Sequence, residues 1–214
     1  TISPKRRSLV VGNIHVLFNP NRGDIKLGQV RIFLEKAYKL SQEWGNIPII
    51  IGGDLNSLPQ VRLCNLIIIL TVILYHVNLT SYFEILITEI VMAHLTYWSL
   101  IYRWSDEELR LATGSEELTR LQHELKLYSA YLGVPGSHGL RDNRGEPLAT
   151  SYHSKFMGTV DYIWHTKGLI PVRVLETLPI NILRRSAGLP NEKWGSDHLA
   201  LVCELAFAND GTIV

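Results

Sequence analysis

Asp54 and Asn56 stand two residues apart where an apolar run ends, in Gly52-Gly53-Asp54-Leu55-Asn56-Ser57. Residues at alternate positions of a strand project to one face, so a carboxylate and an amide would share the space at the strand's end. A hard cation such as Mg²⁺ takes oxygen ligands, commonly one or two carboxylates completed by substrate phosphate and water. The same residues also spell an ordinary Asx turn, and the motif alone leaves both readings open. Ser196-Asp197-His198 opens a later apolar run. There an acid beside an imidazole could bind a metal and contact a phosphate or a leaving oxygen; the plainer alternative is a loop aspartate capping a turn next to a solvated histidine. Asp161 lies inside the apolar Thr159–Trp164 run. An ionised carboxylate is costly to bury without a partner, and His198 is the partner expected for it, because a carboxylate that orients an imidazole is a recurrent catalytic arrangement. His15 sits inside an apolar run, where a lone histidine is more often a satisfied core residue; one strand ahead of Asp54, it could bind the transferred phosphate.

The elements that must position these groups are legible around them. Residues 9–18, LVVGNIHVLF, read as a buried strand, and Asn19–Gly23 supply turn chemistry. Asp24 is the expected cap of a helix whose apolar residues Leu27, Val30, Phe33, Leu34, Ala37, Leu40 and Trp44 follow helical spacing, with Gly45 as its stop. Residues 47–51 give the next strand. Strand, helix, strand with a functional turn at the second strand's end is the order of a layered α/β enzyme. Downstream, Ser105 and Glu108 make a capping box, and Ser115 starts a helix in which Leu118, Leu121, Leu125 and Tyr128 share a face before Gly133 and Pro135. Residues 136–158 read as a long loop, followed by strands over 159–165 and 198–207.

Length and charge bound the rest. The 214 residues suffice for one domain with a sizeable core. A net charge of +1 means that affinity for a polyanion must come from local clustering or bound metal. Cys64 and Cys203 match no zinc or CxxC spacing and suggest no disulfide framework, which points to a reducing compartment, the cytoplasm first and the nucleus second. The chain begins at Thr1 and leads from Pro4-Lys5-Arg6-Arg7 into a strand-like run, so no secretory leader is expected and the start reads as a cut inside a longer polypeptide.

Residues 61–102 depart from their flanks. They hold no Gly, no Pro, eight Ile, eight Leu and three charges, Arg62, Glu84 and Glu89. A membrane span needs about 20 mostly apolar residues, whereas Leu63–Leu79 offers 17, interrupted by Asn65, Tyr75, His76 and Asn78; no membrane association is expected. The composition, rich in residues that A/T-rich DNA encodes, reads as an atypical apolar insertion of the kind a translated intron would leave.

Taken in order, Asn13–Asn19, Gly52–Ser57, Gly158–Ile163 and Gly195–His198 resemble the endonuclease/exonuclease/phosphatase superfamily. Residues 21–31 (NRGDIKLGQVR) and 149–165 (ATSYHSKFMGTVDYIWH) resemble more narrowly the plant homologues of carbon catabolite repressor 4. The likeness covers about residues 8–60 and 103–207. It implies a four-layer α/β sandwich of the DNase I-like type, incomplete at the N-terminus, with 1–214 a partial catalytic domain corresponding to the C-terminal portion. It implies that Asp54 and Asn56 lie at a phosphate and Mg²⁺ centre (Mn²⁺ as a substitute), with Asn56 holding the scissile phosphate or the attacking water. His15 would contact phosphate, Asp161 would be the catalytic aspartate, and Asp197 with His198 would complete the metal and phosphate site. The implied reaction is hydrolysis of mRNA poly(A) from its 3′ end to 5′-mononucleotides, with single-stranded RNA stacked on a side chain such as Trp104, Tyr152 or Phe156. Subunits of an mRNA decay complex are further implied partners, although no leucine-rich repeat of the docking kind is visible.

The family's first half supplies an Asn and a metal-binding Glu in a Gln-Glu context, and neither motif occurs here. Little or no hydrolysis is therefore expected of these residues alone. Two other functions remain open: a phosphatase or phosphodiesterase acting on a small nucleotide substrate with the same site, and an inactive truncated protein that keeps RNA or partner contacts.

Overall fold

The computed structural model describes residues 7–58, 105–114, 123–137 and 139–208. The apolar segment at 61–102, Trp104 and the helix expected to start at Ser115 lie outside the described residues.

The first strand, β1 (Val10–His15), the helix α1 (Gly23–Glu43) and the second strand, β2 (Ile49–Asp54), follow the expected order. β1 and β2 run parallel, as a crossover helix requires. A later strand, β6 (Asp161–His165), adds antiparallel to β2. The two-residue β3 (Tyr128–Ser129) adds to β6, giving a four-stranded sheet in the order β1-β2-β6-β3. Alternation then sorts the side chains. Val10, Ile49, Ile51, Tyr162 and Trp164 are buried on one face against Leu27, Val30, Leu34 and Ala37 of α1. Tyr162 and Trp164 stack there with ring centroids 4.8 Å apart. His15, Asp54 and Asp161 belong to the opposite alternation, where Val11 is also exposed.

Two glycines permit close approaches that a side chain would block. A Cβ at Gly28 would stand 3.1 Å from the carbonyl oxygen of Leu111 in α2 (Asp106–Thr113), the helix that crosses α1. A Cβ at Gly53 would lie 1.9 Å from the Ile14 carbonyl, and φ is +142° there, so the second glycine of the Gly-Gly-Asp turn is required by both space and backbone. The α2 capping box is present, with Ser105 Oγ accepting from Glu108 N and Glu108 accepting from Ser105 N.

A second hydrophobic cluster, Ala149, Leu183, Leu189 and Leu199 with Tyr152, Met157 and Trp194 against it, supports the short hairpin of β4 (Ser151–His153) and β5 (Phe156–Gly158). It also packs α3 (Ile180–Leu183). β7 (Leu169–Leu175) and β8 (Val202–Phe207) form a separate antiparallel pair. Among the described residues no helix is long and apolar enough to cross a membrane.

Several expectations are corrected. Asp24 does not cap α1; it is the helix's second residue, 2% exposed, and its carboxylate accepts two bonds from the Arg22 guanidinium at 3.0 and 2.7 Å. Leu40 and Trp44 are exposed rather than part of the buried helix face, while Gly45, at φ +86°, does end the helix. Leu125 and Tyr128 are not helical: Leu125 fills the sheet core and Tyr128 pairs with His165 in β3. The loop at 136–158 contains both β4 and β5, and β7 answers to no strand expected from the sequence.

Candidate active site

Strand register builds the site. His15 ends β1 opposite Asp54, which ends β2, and Asp54 is paired with Asp161, which begins β6. Three chemistry-bearing residues thus lie in a row across one end of the sheet. His15 Nε2 is 3.4 Å from Asp54 Oδ2. His198 enters from the other side: Ser151 of β4 bridges to it, Leu199 N donates to the Thr150 carbonyl at 2.7 Å, and Ser151 Oγ donates to the Asp197 carbonyl. The His198 Nδ1 atom lies 2.8 Å from Asp161 Oδ2. Its Nε2 faces Asp54 Oδ2 and Asp197 Oδ2, each 4.0 Å away.

The Asx turn forms and uses one of the two Asp54 oxygens. Asp54 Oδ1 accepts from Asn56 N at 2.7 Å, which is the Asx turn, and the second oxygen, Oδ2, faces the two histidines. Asn56 has φ +47°, a left-handed conformation that Asn tolerates better than most residues. Strand alternation therefore stops at Asp54, and the Asn56 side chain is placed by a bond of its own, Nδ2 donating to the Val16 carbonyl at 2.9 Å.

Burial pushes the Asp161 carboxyl above its ordinary range, and hydrogen bonding with Thr150 and His198 works against that rise. For His198 burial favours the neutral ring, but the bond to Asp161 and the charges of Asp161, Asp54 and Asp197 outweigh it and hold the imidazolium above its usual range. The bond to Asp161 orients the ring and turns Nε2 toward the Asp54 and Asp197 carboxylates.

Asp54, Asp161 and His198 offer ligand atoms that all lie within 4.8 Å of one another. Two carboxylates that share one space repel when both are ionised, and a cation between them removes that conflict. The donor set suits such an ion, with water or phosphate oxygens completing its shell. Among the His, Cys, Asp and Glu of the described residues the grouping joins Asp54 to Asp161 and His198; Asn56 Nδ2 donates to Val16, and the exposed Asp197 carboxylate lies 4.0 Å from His198 Nε2. Lys26 and Thr150 are neighbours that motif reading passed over. Thr150, fully buried, accepts from both Val160 N and Asp161 N. Lys26, 1% exposed, donates to the Asn56 carbonyl.

No family model matches the sequence. Curated relatives do. Carbon catabolite repressor protein 4 homolog 5 of Arabidopsis thaliana is 60% identical over 215 residues, 95% of this chain and 47% of that protein. Homolog 3 of the same plant is 48% identical over 217 residues, 98% of this chain and 48% of that protein. Among solved structures, ANGEL2, a 2′,3′-cyclic phosphatase, in complex with adenosine-2′,3′-vanadate superimposes with a TM-score of 0.59 at 27% identity, over 92% of this chain and 56% of that one. The fold and the Asp/His group define a homologue of the endonuclease/exonuclease/phosphatase hydrolases. Within them the chain is a homologue of these carbon catabolite repressor 4 proteins at 48–60% identity, and it spans about half the length of the curated relatives it matches.

Proposed function

We propose that this site serves an Mg²⁺-dependent 3′ to 5′ exoribonuclease that shortens poly(A), within a four-layer sandwich of the DNase I-like type. The observation that carries the proposal is the cross-strand meeting of Asp54 and Asp161 with His198 bonded to Asp161. The name of one relative, a CCR4-Not complex 3′-5′-exoribonuclease subunit that is 26% identical over 237 residues, supports RNA as the substrate class. Asp54 and Asp161 would hold the cation, with Mn²⁺ as a substitute. When bound, such an ion polarises the phosphoryl oxygen and lowers the pKa of water. His198, held by Asp161, presents Nε2 to a phosphate or leaving oxygen and can deliver the proton that the departing ribose oxygen needs. His15, with its side chain 75% exposed beside Asp54, would meet a phosphate from the solvent side.

A second reading keeps the site and exchanges the substrate for a small nucleotide, and the likeness to ANGEL2 favours a 2′,3′-cyclic phosphate end. One panel separates the readings: 5′-labelled oligo(A) RNA and adenosine 2′,3′-cyclic monophosphate, each with Mg²⁺, Mn²⁺ or chelator. A ladder of shortened RNA with AMP release, lost in Asp161→Asn, supports the exonuclease. Ring opening of the cyclic phosphate without shortening supports the second reading. RNA binding without turnover of either substrate, unchanged in Asp161→Asn, would establish the inactive binding protein instead.

A further inference from the structure

We propose that Lys26 is a positioning residue of this site: a buried ammonium that clamps the peptide of Asn56 and so holds the Asp54–Asn56 turn in place beside the strands that carry His15 and Asp161. The catalytic consequence rests on the phosphoesterase reading above; the structural claim does not.

Lys26 is the fourth residue of α1 and lies on the helix face of Val30, Leu34, Ala37 and Ser41, all buried. Lysine is almost never fully buried unless it is paired, yet this one is 1% exposed and its Nζ donates to a peptide carbonyl, that of Asn56, at 2.8 Å. Apart from Lys26, the ties that run from the turn to neighbouring segments are neutral. Val16 N donates to the Asp54 carbonyl at 2.9 Å, Leu55 N donates to Val160 O at 2.8 Å, and the Tyr162 hydroxyl donates to Ser57 O at 2.9 Å. Between Leu55 and Ser57 the Asn56 carbonyl is the remaining handle, and the chain fills it with a cation. Asn56 is also the residue held at φ +47°, so its peptide needs restraint if Asp54 is to keep one oxygen on the turn and the other on the histidines. Burial lowers the Lys26 pKa, and the nearby Asp54 charge works in the opposite direction. A charge-assisted bond in a dry place is stronger than its neutral counterpart, which suits a clamp beneath a turn that must not move.

The test compares Lys26→Met and Lys26→Arg in the full chain, with exposed Lys36→Met as control for loss of a helix charge. Amide hydrogen exchange is the first readout. In Lys26→Met the Asn56 amide should exchange about ten-fold faster or more, while the Ile51 and Trp164 amides keep their wild-type rates. With a cleavable substrate, kcat should fall by about a hundred-fold with KM within about two-fold, as displacement of a reacting group predicts. Lys26→Arg should recover most of both, and Lys36→Met should change neither. A folded Lys26→Met with wild-type exchange at Asn56 overturns the proposal, as does a rise in KM with kcat retained. Faster exchange spread equally over Ile51 and Trp164, or failure of both Lys26 variants to fold, overturns it too, because Lys26 would then serve global stability. If the wild-type chain, which spans about half the length of its relatives, cleaves nothing, the exchange comparison alone decides the role of Lys26.

Discussion

Glu146 is 4% exposed in the loop that precedes the β4–β5 hairpin, and replacing it with Gln should change how stability depends on pH. Burial raises its carboxyl from the ordinary 4.5 to about 7; a hydrogen bond with Ser129 and the Arg141 charge lower it, and the Asp142 charge adds to the rise. The native chain therefore keeps a proton on Glu146 at pH values where the unfolded chain has released it. Stability falls with rising pH wherever the native state binds more protons, so the contribution is whole below about pH 4.5 and is lost as pH climbs through about 7. A difference of 2.5 between 7 and 4.5 corresponds to about 3 kcal/mol at about 1.4 kcal/mol per pKa unit. For a chain of this size that is roughly 6–12 °C in Tm. Urea or thermal unfolding at half-unit steps from pH 4.5 to 8.5 should show that decline in the wild type and a flatter profile in Glu146→Gln, the two converging at low pH. Parallel profiles across the range would refute the assignment of a buried, protonated Glu146. The consequence reaches the site's scaffold, since Glu146, once ionised, acts on Tyr162, whose hydroxyl donates to Ser57 O and Thr159 O.

Three further outcomes follow from the geometry. Mn²⁺ at about a hundred times its Kd should stabilise the chain by about 2.7 kcal/mol, and Asp54→Asn or Asp161→Asn should abolish that gain in differential scanning calorimetry; an undiminished gain in both would place the ion elsewhere. His198→Asn should cost about 10² to 10⁴ in kcat, the range for loss of an acid–base group, and a loss under two-fold would remove His198 from the chemistry. Gly53→Ala should destabilise by about 3 kcal/mol or more because of the positive φ and the Ile14 carbonyl in the way, measured by chemical denaturation; a neutral result would contradict the close approach of β1 and β2.

The sequence by itself determined the strands and the helix between His15 and Asp54, because period-2 and period-3.6 apolar patterns and the Gly-Gly-Asp turn are local properties. It also singled out His15, Asp54, Asn56, Asp161, Asp197 and His198, because each is a polar group at the edge of, or inside, an apolar run. It marked Lys26 as well, for a reader who asks why a charge shares a helix face with Val30, Leu34 and Ala37; the signal was a charge in an apolar stripe, and motif reading passes over it. Capping chemistry misled at Asp24 because an aspartate at the start of a helix has two uses, and the Arg22 guanidinium two residues earlier took the carboxylate.

Only the tertiary structure decided which of the polar groups meet. Asp54 and Asp161 are 107 positions apart, and their pairing is a fact of the β2–β6 register. A slip by one residue would have turned Asp161 to the α1 face and Tyr162 to the open one. Likewise the His198 ring reaches Asp161 because the strand-to-strand bridge at Ser151 and the Leu199–Thr150 bond fix the loop before β8. Side-chain type and local pattern are written residue by residue, whereas a distance of 2.8 Å between the His198 ring and the Asp161 carboxylate depends on how separate segments pack, and packing is settled by the whole core at once.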